Sequence, residues 1–183
     1  MTNEPILWLD LECSGLIPER HHILEAAAVV TDGDLNELDS TSGVIHVQDD
    51  LLAEMDEWCT KTHTESRLVA ESIASTLTTY DVELRILELI NRNWGSSAKP
   101  ILAGNSIHFD RLFIRRYMQR LDKRLHYRML DVTAVTEAYR LLFSYGIEAS
   151  GQRPANHRAM PDVQRSIQIM RAVRSQMIWG MPT

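Results

Sequence analysis

Two apolar runs near the start of the chain constrain its fold most. Pro5-Ile-Leu-Trp-Leu-Asp10 is short and rich in strand formers, and Ile23 to Thr31 is longer and stops at Asp32-Gly33. Asp32-Gly33-Asp34 reads as a hairpin turn, and Gly43 to Val47 as a third strand. Residues 5–47 are thus expected to form an antiparallel three-stranded meander, with Gly15 to His22 as a surface loop. Helical period then takes over. Short helices are expected over Leu51 to Trp58 and around Glu65 to Ala74, then a longer one from Asp81 to Trp94 that buries Val82, Ile86, Leu89 and Ile90. Ile101 to Gly104 reads as a brief strand, Asp110 to Leu121 as an amphipathic helix, and Met129 to Asp131 as a last strand before a helix to Phe143. Ser144 to Asn156 is a polar loop, followed by a final helix ending near Met177. Meandering strands followed by alternating helix and strand imply an α/β fold, a mixed sheet covered by helices. The 183 residues fit a single domain, 1–183, with its core at about 5–177.

Charge is unevenly spread. Residues 1–57 hold 14 acidic groups and one basic group, Arg20, within a chain whose net charge is −6. Such an acidic segment repels phosphate unless metal ions intervene, and the total argues against coating of long duplex nucleic acid or an anionic membrane. Arg111, Arg115, Arg116, Arg120, Lys123, Arg124 and Arg128 form a basic run, which most simply reads as a solvated helix face. Cys13 and Cys59 match no zinc spacing and suit a reducing compartment. The start lacks a basic leader and no apolar run is long enough to span a bilayer, so a cytoplasmic protein is expected, with no membrane partner.

Asp10 and Glu12 stand two apart at the end of the first apolar run, so strand geometry sends both carboxylates to one face. Alone, the pair most simply reads as a solvated strand end. Its run is apolar enough to be buried on both faces, however, and open α/β sheets place ligands at the ends of such strands. Asp110 follows the Ile101–Asn105 stretch, where it could simply cap a helix. His157 and Asp162 are about 140° apart around a helix axis, so they converge best if His157 lies just before the last helix.

Asp-x-Glu, then Asp, then His-x4-Asp resembles the DEDDh 3′-to-5′ exonucleases, and the intervening residues narrow the resemblance to the oligoribonuclease family. Those residues are Trp8-Leu-Asp-Leu-Glu12 with Gly15-Leu16, Met55-Asp-Glu-Trp58 with Thr62-His63, and Gly104-Asn-Ser106 before Asp110. His126-Tyr-Arg128, Leu130-Asp-Val132 and His157-Arg-Ala159 with Asp162 complete the series, which runs from about Leu7 to about Arg171. The resemblance implies a ribonuclease H-like mixed five-stranded sheet flanked by helices. It also implies hydrolysis of short oligoribonucleotides, dinucleotides in particular, to 5′-mononucleotides. Asp10, Glu12, Asp110 and Asp162 would hold two divalent metal ions, Mg²⁺ or Mn²⁺, and His157 would be the general base. Leu16 resembles a wedge between the last two bases and Trp58 a stacking platform, while His63, Ser106, Arg128 and Thr133 resemble a polar cap around a 5′ phosphate. Tyr127 and Arg128 are implied to come from the second subunit of a homodimer.

The chain also departs from the family pattern. Ile107-His108-Phe109 precedes Asp110 where small or amide residues are usual, Cys13-Ser14 replaces Met-Thr, and Pro161 replaces an acid. The 144–156 stretch lacks the lysines common in relatives. Two other functions suit the residues: a DNA-directed proofreading-type exonuclease, and a noncatalytic module holding short nucleotides.

Overall fold

The computed structural model describes residues 4–143 and 157–179. β1 (Ile6–Cys13), β2 (Ile23–Thr31) and β3 (Glu37–Val44) form the expected antiparallel meander. After α1 (Asp49–Leu52), α2 (Glu57–Glu65), α3 (Leu68–Ala74) and α4 (Thr79–Trp94), β4 (Leu102–Gly104) joins β1 in parallel. Then come α5 (Ile107–Tyr117), α6 (Gln119–Arg124), β5 (Met129–Asp131) parallel to β4, α7 (Val132–Phe143) and α8 (Ala159–Trp179). The sheet order is β3-β2-β1-β4-β5, the mixed five-stranded α/β arrangement expected. The polar loop expected over 144–156 lies outside the described residues.

Alternation along the central strands divides the core into two layers. Leu7, Leu9, Ala26, Ala28 and Val30 face α4 and α5, where they meet Val82, Ile86, Leu89, Ile90, Phe113 and Ile114. Trp8, Ala27, Val29 and Ala103 face the other way, onto Ala159, Val163 and Ile167 of α8. Every residue of β2 is buried, which explains why its sequence is almost continuously apolar rather than alternating. Trp8 resolves its one polar atom by donating its indole N–H to Thr31 Oγ1 at 2.9 Å.

Three boundaries differ from expectation. The third strand runs over Glu37–Val44, not Gly43 to Val47, because the preceding turn closes sooner. Asp32 accepts from the backbone N–H groups of Asp34 and Asn36 at 2.9 and 2.8 Å, Leu35 takes φ 68°, and Glu37 already pairs with Thr31. As an edge strand it carries mostly polar residues, so its apolar signal is weak. The helix expected over 51–58 is two elements, with Trp58 in the first turn of α2 behind an Asp56 N-cap. The helix expected over 110–121 begins earlier and breaks at Met118. There the buried Glu83 of α4 accepts the N–H groups of Arg120 and Leu121 at 2.8 and 2.9 Å, starting α6 afresh.

The basic run is largely engaged within the chain. Arg111 and Arg115 meet Asp122, Arg120 lies over the Tyr80 ring, and Arg124 donates to the Gly95 carbonyl. That matches a helix face better than a nucleic-acid track. No described helix is long and apolar enough to cross a membrane.

Candidate active site

Asp10 and Glu12 continue the face of β1 that carries Trp8, the face on which α8 packs. α8 therefore delivers Asp162, in its first turn, to the same point. One carboxylate oxygen from each of Asp10, Glu12 and Asp162 lies within 4.8 Å of the others. Pro161 precedes Asp162 without displacing it, since proline is tolerated in a first helical turn. Asp110 arrives from the opposite layer. It is not an N-cap: it is the fourth residue of α5, almost fully buried, and its Oδ1 accepts the N–H of Leu11 at 2.9 Å. That bond ties α5 to β1 between Asp10 and Glu12.

Four carboxyl groups in a half-buried cleft repel one another. Burial first, then the charges of Asp110, Glu12, Asp162 and Glu25, hold the Asp10 carboxyl well above its ordinary range. Burial and the neighbouring Asp162, Glu25 and Asp110 push Glu12 up to about 8, against a smaller opposing effect of Arg158. Asp110 is pushed up to about 7, again chiefly by burial, with the Leu11 N–H working against the shift. An all-oxygen, acceptor-only set of this kind fits a hard divalent cation. Glu12 titrates near 4.5 when unperturbed and at about 8 in the fold, so between these values the folded chain binds more protons than the unfolded one. The metal-free fold therefore loses stability as pH rises through that window. Mg²⁺ or Mn²⁺ should raise the melting temperature more at about pH 8.5 than at about pH 5.5, and binding near pH 6.5 should release protons. Equal melting shifts at both pH values, with no proton release by calorimetry in two buffers, would contradict this electrostatic picture.

The remaining predicted residues fall into two groups. His157 sits just before α8, at φ 28°, with its ring edge-on to Trp58 at 5.4 Å between centroids. It opens onto a hollow of about 520 Å³ shared with Asp10, Glu12, Asp162, Ser106 and Thr133. A second hollow of about 230 Å³ adjoins it and is lined by Leu16, Trp58, His63 and Asp110. Leu16 and Trp58 are 68% and 60% exposed, so neither is a core residue. Leu16 projects from a loop fixed by bonds between Ser14 and His22, by Ile17 N–H to His21 Nδ1, and by the Tyr117 hydroxyl at the Pro18 and His21 carbonyls. His63 is buried; its Nε2 donates to the Cys13 carbonyl at 3.0 Å, and its Nδ1 has no partner among the described residues. Burial holds its pKa below the ordinary value. Ser106 and Thr133 meet through their hydroxyls at 3.1 Å.

Tyr127 and Arg128 are not brought to the cleft of their own chain. They precede β5, at the opposite end of that strand from Asp131, which pairs with Gly104 beside the site. Tyr127 is 72% exposed, with the Arg128 guanidinium 5.0 Å from its ring centroid.

Sequence reasoning missed several residues that shape the site. Asp131 Oδ1 accepts from Ser106, Thr133 and Ala134 N–H groups, and its Oδ2 accepts a hydrogen bond from His108 Nδ1 at 3.0 Å. His108 is exposed and is attached to the rim through Asp131. Glu25, hidden in an apolar run, faces Glu12 across the β1–β2 ladder and binds Arg158. An isolated carboxylate in a nine-residue strand that is otherwise apolar save Thr31 was the available signal.

The RNase T exonuclease family model matches residues 7–170. An oligoribonuclease from Corynebacterium diphtheriae is 40% identical over 182 residues, covering 99% of this chain and 87% of the relative. The chain belongs to the oligoribonuclease family of exonucleases. An oligoribonuclease from Klebsiella pneumoniae is 39% identical over 163 residues, 88% of this chain and 89% of that one. Membership makes the chain a nuclease, a phosphodiester hydrolase. Among solved structures, exonuclease I from Methylocaldum szegediense superposes with a TM-score of 0.73 at 21% identity, covering 96% of this chain and 41% of that one. Escherichia coli exonuclease I, in a zinc-bound complex with single-stranded DNA, gives 0.75 at 17% identity, covering 97% and 42%. The oligoribonuclease-family chain thus spans about two fifths of those solved chains, and the likeness fixes the ribonuclease H-like fold.

Proposed function

We propose that this single-domain chain is a 3′-to-5′ exoribonuclease that hydrolyses short oligoribonucleotides, dinucleotides above all, to 5′-mononucleotides in the cytoplasm. The observation that carries the reading is the convergence of Asp10, Glu12 and Asp162 within 4.8 Å, with Asp110 bonded to the same strand and His157 at the lip. Asp10, Glu12, Asp110 and Asp162 are the residues that would hold two divalent ions, Mg²⁺ or Mn²⁺. Such ions supply the positive charge that stabilises the attacking and leaving oxygens of a phosphodiester. His157 takes the proton from the attacking water as general base. Leu16 and Trp58 receive the two bases, and His63, Ser106 and Thr133 surround the 5′ phosphate. Tyr127 and Arg128 reach that phosphate from a second copy of the chain, which accounts for their distance from their own cleft. A stable monomer by light scattering would contradict that shared site.

Trp58 offers an exposed aromatic face, and base stacking on such a face is worth about 1–3 kcal/mol. Trp58→Ala should lower kcat/KM by about 10- to 100-fold, and Trp58→Phe should restore most of it. Unchanged kinetics in the alanine variant would remove Trp58 from the substrate path. The function itself is tested by incubating 5′-labelled dinucleotide RNA and matching DNA with Mg²⁺ or Mn²⁺, with a chelator control. Chelator-sensitive loss of the RNA supports the reading, while preferential loss of DNA would transfer the activity to the DNA-directed class.

A further inference from the structure

A side-chain clamp holds the segment that carries His157, and nothing in the reaction outlined above uses it. Glu25 is 5% exposed and stands opposite Glu12 in the β1–β2 register. Without a partner, its carboxylate would be a desolvated charge beside an already acidic cleft. Arg158 meets it with a two-pronged bond, Nε to Oε2 at 2.8 Å and Nη2 to Oε1 at 3.0 Å. The same guanidinium reaches Glu71 of α3, with Nη2 and Nη1 donating at 2.7 and 3.2 Å. Glu25 Oε2 also accepts the N–H of Ala159, the first residue of α8, at 3.2 Å. One buried carboxylate therefore fixes both the Arg158 side chain and the start of the helix.

His157 is the residue immediately before this clamp, and its φ of 28° is one that a side-chain-bearing residue keeps only when its surroundings over-determine it. Among the described residues, the bonds nearest to it in the chain are those of Arg158, forked between β2 and α3, and of Ala159, bonded to β2, with the Trp58 ring beside its imidazole. We propose that Arg158 is a positioning residue for the reaction, holding the strained turn that aims the His157 imidazole into the cleft. This rests on the reading of His157 as the general base. Arg158 is not among the residues lining either hollow of the cleft, and Asp162 meets it through the backbone, its N–H donating to the Arg158 carbonyl at 3.2 Å, a bond that a side-chain substitution keeps, while Val163 and Ile167 pack on the Trp8 face. Losing the fork should therefore reduce turnover, and a variant that keeps the positive charge beside Glu12 and Glu25 should leave substrate and metal binding in place. Lysine cannot substitute, because a single ammonium lacks the planar fork that spans two carboxylates.

The test compares wild type, Arg158→Ala, Arg158→Lys, His157→Ala and the doubly substituted chains. It reads kcat and KM on two-nucleotide RNA, Mn²⁺ affinity and melting temperature. Arg158→Ala should lower kcat by about 10²-fold, with KM within about threefold, because misplacing a reacting group by about 1 Å costs that much. Arg158→Lys, which keeps the charge facing Glu25, should still lose about tenfold or more. In the His157→Ala background, either Arg158 substitution should cost less than about threefold, since its target is gone. Wild-type turnover in Arg158→Lys would overturn the proposal, as would an equal loss with and without His157. If Arg158→Ala does not fold, the lysine variant and its His157→Ala pair carry the same comparison. Wild-type turnover in His157→Ala would instead overturn the base reading, and the proposal with it.

Discussion

Asp110→Asn should reduce turnover by about 10³-fold while leaving the fold intact. The carboxylate would share in holding a metal charge worth several kcal/mol to the transition state, and about 4 kcal/mol corresponds to a thousandfold in rate. The fold should survive because asparagine keeps a carbonyl oxygen for the Leu11 N–H that Asp110 accepts at 2.9 Å. Asp110 is pushed up to about 7, chiefly by burial, so above that pH its ionised form works against the metal-free fold. The metal-free melting temperature of the asparagine variant should accordingly equal or exceed that of wild type above about pH 7. Chelator-sensitive cleavage at wild-type rates would remove Asp110 from the reaction. A lowered melting temperature with partly retained activity would make it a structural residue.

Gly104→Ala should be costly for both stability and rate. A Cβ at this position would lie 2.6 Å from the Leu9 carbonyl oxygen and 2.8 Å from Ile107 Cδ1. The isoleucine tip can turn aside, but the carbonyl belongs to the backbone of β1. The strands must part, next to the Trp8–Ala103 pairing. Overpacking of this kind costs about 1–3 kcal/mol, which denaturant unfolding would read as a lower midpoint at unchanged slope. Parting β1 from β4 also separates Asp10 and Glu12 from the helix that carries Asp110, so turnover should fall by about 10²-fold. A variant with wild-type midpoint and wild-type turnover would show that the two strands are not what sets the spacing of the carboxylates.

The parts of the site that were legible in the sequence are those governed by local geometry. Period two along an apolar strand places Asp10 and Glu12 together, and helical angle places His157 just outside α8. The apolar runs also mark β1 and β2 because each packs against both layers of the core. What was not legible depends on residues distant in the chain. β3 is an edge strand whose outward residues are polar, so its start is set by the Asp32 turn and not by hydrophobic pattern. Asp110 looks like a helix cap until Leu11 is seen to occupy its oxygen. The break at Met118 depends on Glu83, 35 positions earlier, and the turn at His157 depends on Glu25, more than a hundred positions earlier. Pairings of that range leave no periodic trace, because each is decided by which layers the sheet brings face to face.

The proposed activity is decided by the initial rate of cleavage of 5′-labelled RNA of two, three, five and seven nucleotides, each with Mg²⁺ or Mn²⁺ and with chelator. Rapid, chelator-sensitive loss of the two-nucleotide RNA is expected, with much slower loss of the longer chains. Cleavage that is indifferent to chelator, or faster on seven nucleotides than on two, would contradict it.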